Sequence, residues 1–139
     1  MGESQLALLR EMLDLLDRYA SSVRRSELDT DRETWLKVRA ALEVAAQCAV
    51  DLAVEIVPRR ALGVPQTYRE AFEMLARAGV IGGDLTSELA GWAGFRNVLV
   101  HAHTALDLNR VHAALSETRP LRTFVAVAAA ELARDETNP

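Results

Sequence analysis

The chain has 139 residues, 50% hydrophobic and 26% charged, which is enough apolar material for one core without disulfides and excludes wholesale disorder. Its 16 basic residues, all arginine except Lys37, are outnumbered by 20 acidic ones, which excludes the broad basic face of a general nucleic-acid binder. A single cysteine, Cys48, forbids an internal disulfide and a cysteine-built zinc site; with no signal-like start and no apolar run of membrane length, a cytoplasmic setting is expected.

Residues 4–25 read as a helix, because Leu6, Leu9, Leu13, Leu16, Ala20 and Val23 recur at steps of three and four. A polar break at 26–31 follows, and Thr30 with Glu33 forms a capping-box pattern. The next apolar face is Trp35, Val38, Leu42, Ala45, Ala49, Leu52 and Ile56, with a stop expected at Val57 before Pro58. Thr67 and Glu70 repeat the capping pattern and open a shorter helix to about Ala78, ended by Gly79. Residues 84–105 form another helical stretch with Gly91 and Gly94 in its middle. Asp107 is placed to cap a further helix through Ser116, and Pro120 suits the first turn of a last one over 120–134. Aromatics are only 5%, Ala and Leu abound, and no segment alternates with period two. The expected fold is all-α, an antiparallel bundle of four to five main helices in one domain spanning 1–139, with 135–139 as a frayed tail.

One segment carries chemistry. Residues 94–103 read G-F-R-N-V-L-V-H-A-H. Arg96 and His101 stand five residues apart, an offset of roughly 140° on an ideal helix. Arg96, Val100 and His103 share one stripe; Asn97, His101 and Thr104 share its neighbour. Both stripes line a common cleft only if a second helix, or a second copy of this one, faces them. Taken without context, Arg96 reads as a surface arginine and His101 as a packed histidine. A metal site from His101, His103 and His112 is disfavoured, since side chains two residues apart on a helix diverge by about 200°. His112 reads as an incidental packing residue, Cys48 as a small core residue, and Trp35 and Trp92 as bundle packing. Asp51 interrupts an apolar run, either as an acid paired with an arginine or as a cleft residue orienting His101. Nothing in the sequence places Tyr19 or Tyr68 beside the segment.

The string R-N-V-L-V-H contains the R-x-x-x-x-H motif of HEPN-domain proteins, and G-F-R-N-V-L-V-H resembles their HepT-like branch. A-A-L-E-V-A-A-Q-C-A-V-D-L-A at 40–53 and G-V-P-Q-T-Y-R-E-A-F-E-M-L-A-R-A-G-V-I at 63–81 resemble that family's second helix and the segment after it. The resemblance implies a HEPN helical bundle that dimerises with the motif at the interface. It implies a metal-independent endoribonuclease toxin paired with a minimal nucleotidyltransferase antitoxin of the MntA type, with no cofactor. Arg96 and His101 fall on the family's catalytic pair; Asn97, His103 and Asp51 are candidate supports. The chemistry is coherent: a histidine can exchange a proton near neutral pH, and an arginine can hold a phosphate with two parallel hydrogen bonds. The family often has tyrosine two residues after the histidine, where the partner attaches AMP. This chain has His103 there, so no AMP-bearing tyrosine is expected in the motif. The alternative is a non-catalytic binding or regulatory partner of a nucleotidyltransferase.

Overall fold

A computed structural model describes residues 2–101 and 106–137, with side chains to residue 134. The described residues form seven helices and no strand: α1 (Gly2–Ser22), α2 (Glu27–Thr30), α3 (Arg32–Arg59), α4 (Tyr68–Arg77), α5 (Gly83–His101), α6 (Leu108–Ala114) and α7 (Arg119–Thr137). Five of these are the main elements of an all-α bundle; α2 and α6 are short connectors. The long helix α3 is central and packs against α1, α4, α5 and α7. Its sequence explains this place. The whole face from Trp35 to Ile56 is buried, and Ala41, Ala46, Val50, Ala53 and Val57 are buried beside it. Alanines on several sides let neighbouring helices approach closely, so α3 is covered around most of its circumference. On α1 the leucine face is buried as expected, but Ala20 is exposed and the half-buried Tyr19 takes its place against the core. Phe72 of α4 and Phe124 of α7 meet edge to face, 5.6 Å between ring centres, in the middle of the core.

Two ends of the bundle can be told apart. At one, Gly2 lies so close to Glu55 and Leu132 that a Cβ would come within 2.8 Å of both. Arg60 donates two hydrogen bonds to Glu131 there, at 3.0 and 2.6 Å. Arg122 reaches the Leu13 carbonyl at 3.1 Å, so α1 and α7 run antiparallel. At the other end, Arg39 of α3 meets the last turn of α5. The stretch of α3 from Arg39 to Arg60 is about 30 Å long at about 1.5 Å per residue.

The boundaries differ from expectation in ways that have physical reasons. Asp31, not Thr30, caps α3: its carboxylate accepts the N–H groups of Glu33 and Thr34 at 3.1 and 3.4 Å and the Thr34 hydroxyl at 2.9 Å. A charged acceptor suits a helix N-terminus better than a hydroxyl. Thr30 instead ends α2, a single turn inside the polar break. Pro58 sits within the last turn of α3 rather than stopping it at Val57. Near a helix end its missing N–H removes only one bond, and the Arg60 N–H closes the turn on Ile56 and Val57. Thr67 and Asp107 cap α4 and α6 as their spacing predicts. Gly91 and Gly94 leave α5 uninterrupted, and α7 continues as far as Thr137.

Candidate active site

The rotation of α5 about its own axis is set by what it buries. Leu89, Trp92, Phe95 and Leu99 enter the core, with Trp92 and Phe95 edge to face at 5.7 Å. Arg96 is consequently half-buried at the margin, while Asn97 and His101 face outward and are exposed. On the helical wheel, Ala93, Asn97 and Ala90 occupy the arc of roughly 140° between Arg96 and His101. That arc is not bare. The start of α4 stands across from it and encloses a groove of about 580 Å³, with Ala90, Ala93, Gly94 and Asn97 on one side and Thr67 and Tyr68 on the other. Within the protomer α4 thus faces the Asn97 side of α5, and Arg96 and His101 themselves lie outside the lining of this groove.

Arg96 is held but not saturated. Its Nη1 donates to Asn97 Oδ1 at 3.1 Å, and its guanidinium lies 6.0 Å from the centre of the Tyr68 ring. Its Nε is buried with no acceptor among the described residues. A buried donor left unmatched costs free energy unless a ligand completes it. Tyr68 is therefore beside the motif, a placement that nothing in the sequence indicates. The long loop 60–67 hides this neighbour, and the one available signal is Thr67, whose cap fixes where α4 begins.

The His101 end of α5 is pinned by a residue that sequence reasoning missed. Arg39 donates from Nε and Nη2 to the Leu99 carbonyl at 3.2 and 2.8 Å. That carbonyl belongs to the last described turn of α5. Glu43 holds the guanidinium from below at 3.6 Å. Leu99 itself is fully buried. His101 thus follows, two residues on, a position that Arg39 holds from outside and the Leu99 side chain anchors in the core. An arginine four residues before a glutamate looks like an ordinary surface pair, which is why the sequence conceals this role.

Other candidates stand apart. Asp51 accepts a hydrogen bond from Gln47 Nε2 at 2.7 Å. It lies about 18 Å along α3 from Arg39, so it is neither paired with an arginine in that bond nor brought to His101. Its carboxylate bears on Cys48 instead. Burial, and then the Asp51 charge, push the Cys48 thiol up to about 11, which keeps it protonated and unreactive at neutral pH. His112 is a packing tie, its Nε2 2.8 Å from the Val23 carbonyl. His103 lies outside the described residues. Among the described residues no three His, Cys, Asp or Glu side chains are gathered as a metal site, and no helix is long and apolar enough to cross a membrane.

Comparison with known proteins gives this arrangement a family. An mRNA nuclease HepT from Shewanella oneidensis is 31% identical over 91 residues, covering 65% of this chain and 68% of the relative. A tRNA nuclease HepT from Aphanizomenon flos-aquae is 28% identical over 122 residues, 84% of this chain and 83% of the relative. The fold matches a tri-AMPylated HEPN toxin of S. oneidensis solved with its MNT antitoxin, at a TM-score of 0.82 and 23% identity over 93% of this chain and 96% of that one. It also matches YutE, a cytosolic Bacillus subtilis protein of unknown function, with a TM-score of 0.82, 17% identity, and 99% and 92% coverage. The family model described as ribonuclease HepT-like matches residues 9–128, from the first leucine face through most of α7, and the chain belongs to that family.

Proposed function

We propose that this protein is an endoribonuclease toxin that cleaves RNA with Arg96 and His101. The observation that carries the reading is an arginine with a buried, unmatched donor nitrogen, lying against the Tyr68 ring that lines a groove, with an exposed histidine five residues further along the same helix. In this scheme the 2′-hydroxyl oxygen of the RNA attacks the adjacent phosphorus and the bond from phosphorus to O5′ breaks. The products are a 2′,3′-cyclic phosphate and a 5′-hydroxyl. A base must take the 2′-hydroxyl proton and an acid must give one to O5′; His101 serves either step. Arg96 grips the phosphate through two N–H groups and stabilises the charge that grows there, while Asn97 steadies its guanidinium. His103 remains a candidate support; Asp51, engaged with Gln47, has no part in the scheme.

The active form is a homodimer with α5 near the two-fold axis. A glycine inside a helix costs about 1 kcal/mol relative to alanine. At Gly91 nothing in the protomer demands that cost, since an added Cβ would meet no atom within 4 Å. Val98, on the same side of the helix, is 49% exposed. A close-packed second copy accounts for both, and it supplies a second His101 as the opposite partner in proton transfer. The partner that neutralises the toxin is a nucleotidyltransferase of the MntA type, by analogy with the toxin–antitoxin complexes that share this fold.

Purified protein incubated with defined RNAs in EDTA tests the activity. Cleavage is expected to leave 2′,3′-cyclic phosphate ends and to fail wherever a 2′-deoxynucleotide precedes the scissile bond. Cutting of the deoxy position at the normal rate, or strict dependence on a divalent metal, would overturn the mechanism.

A further inference from the structure

The groove between α4 and α5, with Tyr68 and the neighbouring Arg96 at its edge, has more room than a single phosphate needs. Its volume is about 580 Å³. Its floor is made of small residues, Ala90, Ala93 and Gly94, and the space above Gly94 is open to at least 4 Å. A floor without side-chain bulk, bounded on one side by an aromatic ring, has the shape of a slot for a flat molecule. Tyr68 provides the ring. It is 37% exposed, although Arg96 lies against it, so part of the ring is free for a second planar group. Gln66, Thr67 and Asn97 bring amide and hydroxyl groups to the rim, which can both donate and accept hydrogen bonds.

We infer that this slot binds an unpaired nucleobase of the RNA next to the cleaved phosphate, stacked on Tyr68. The inference rests on the ribonuclease reading given above and extends it. The same Arg96 that is to hold the phosphate also backs the ring, so base and phosphate are gripped by one connected pair. In a paired helix the bases are stacked on one another and unavailable to an aromatic side chain, so the slot selects single-stranded segments. Stacking is tolerant of base identity because every base has a π-face; sequence preference, where present, comes from the amide groups at the rim.

The test measures binding and cleavage separately. Binding uses a fluorescently labelled single-stranded oligonucleotide carrying 2′-O-methyl groups throughout, which cannot be cleaved by the 2′-oxygen route. Tyr68→Phe should bind within about 2-fold of the wild type, because the ring remains. Tyr68→Ala should bind roughly 5- to 150-fold more weakly, the range expected for loss of one base–aromatic stack. An abasic site placed in turn along the oligonucleotide should weaken the wild type at one position and leave Tyr68→Ala unaffected there. A merely structural role for Tyr68 would not produce that position-specific loss. On cleavable RNA, Tyr68→Ala should raise KM more than it lowers kcat.

Equal binding by wild type and Tyr68→Ala, with cleavage intact, would overturn the slot alone. Equal loss in Tyr68→Phe and Tyr68→Ala would assign the contact to the hydroxyl and overturn stacking. A wild type that neither cleaves RNA nor binds the oligonucleotide would overturn the ribonuclease reading together with the slot.

Discussion

Removing either Arg96 or His101 should cripple cleavage and leave the fold standing. His101→Ala is expected to slow RNA cleavage by roughly 10²–10⁴-fold, the usual contribution of a positioned proton-transfer group. Arg96→Ala is expected to cost a comparable factor, and Arg96→Lys to recover little, because a point charge does not reproduce a planar two-pronged grip. Both should keep the helical circular dichroism of the wild type, since His101 is exposed and Arg96 sits at the core's margin. Rates of all three variants on one RNA substrate check this. A second expectation concerns modification. Co-expression with the partner nucleotidyltransferase should yield no AMP on residues 96–107, where no tyrosine occurs. Peptide mass mapping decides it, and added AMP mass in that segment would overturn the claim. At this scale the sequence was informative where chemistry and spacing coincide, as in R-N-V-L-V-H. It was silent on Tyr68 and Arg39, whose roles depend on partners 28 and 60 residues away along the chain.

Helix ends were legible when one acceptor stood alone and ambiguous when two competed. Thr67 and Asp107 have no rival nearby, and both cap as their spacing indicates. Thr30 stands next to Asp31, and the carboxylate takes the role. That outcome has a pH signature. The Thr34 hydroxyl, then the Thr34 and Glu33 N–H groups, hold the Asp31 carboxyl below its ordinary value near 3.8. A group depressed in the folded state stabilises the fold fully above its unfolded value, and the stabilisation is lost as pH falls through the folded one. Asp31→Ala should therefore lower the denaturant midpoint at pH 7. The gap from wild type should narrow as pH drops below about 4. Urea titrations of both proteins at several pH values check it; a gap that widens in acid would contradict this account of the cap.

The architecture of the whole molecule followed from apolar spacing, because a three-and-four repeat over long segments has few solutions other than a bundle. What spacing cannot supply is which helices face each other. The groove beside α5 arises because the loop after α3 returns α4 across it, a contact with no local signature. The dimer belongs to this scale as well. Val98→Arg puts a charge on an exposed site, so the protomer should fold normally. Light scattering should then find the wild type dimeric and the variant monomeric, with RNA cleavage lost alongside. A variant that stays dimeric and active would move the two-fold axis away from α5.

The close approach of Gly2 to Leu132, beside Glu55 and so about 24 Å along α3 from where Arg39 grips α5, has a practical meaning. The first turn of α1 and the last described turns of α7 lie at the pole opposite His101. A reporter or an affinity handle can be attached there without shading the groove, and a short linker can join the two ends. New ends can then be opened in a surface loop, yielding a circularly permuted protein with its motif undisturbed.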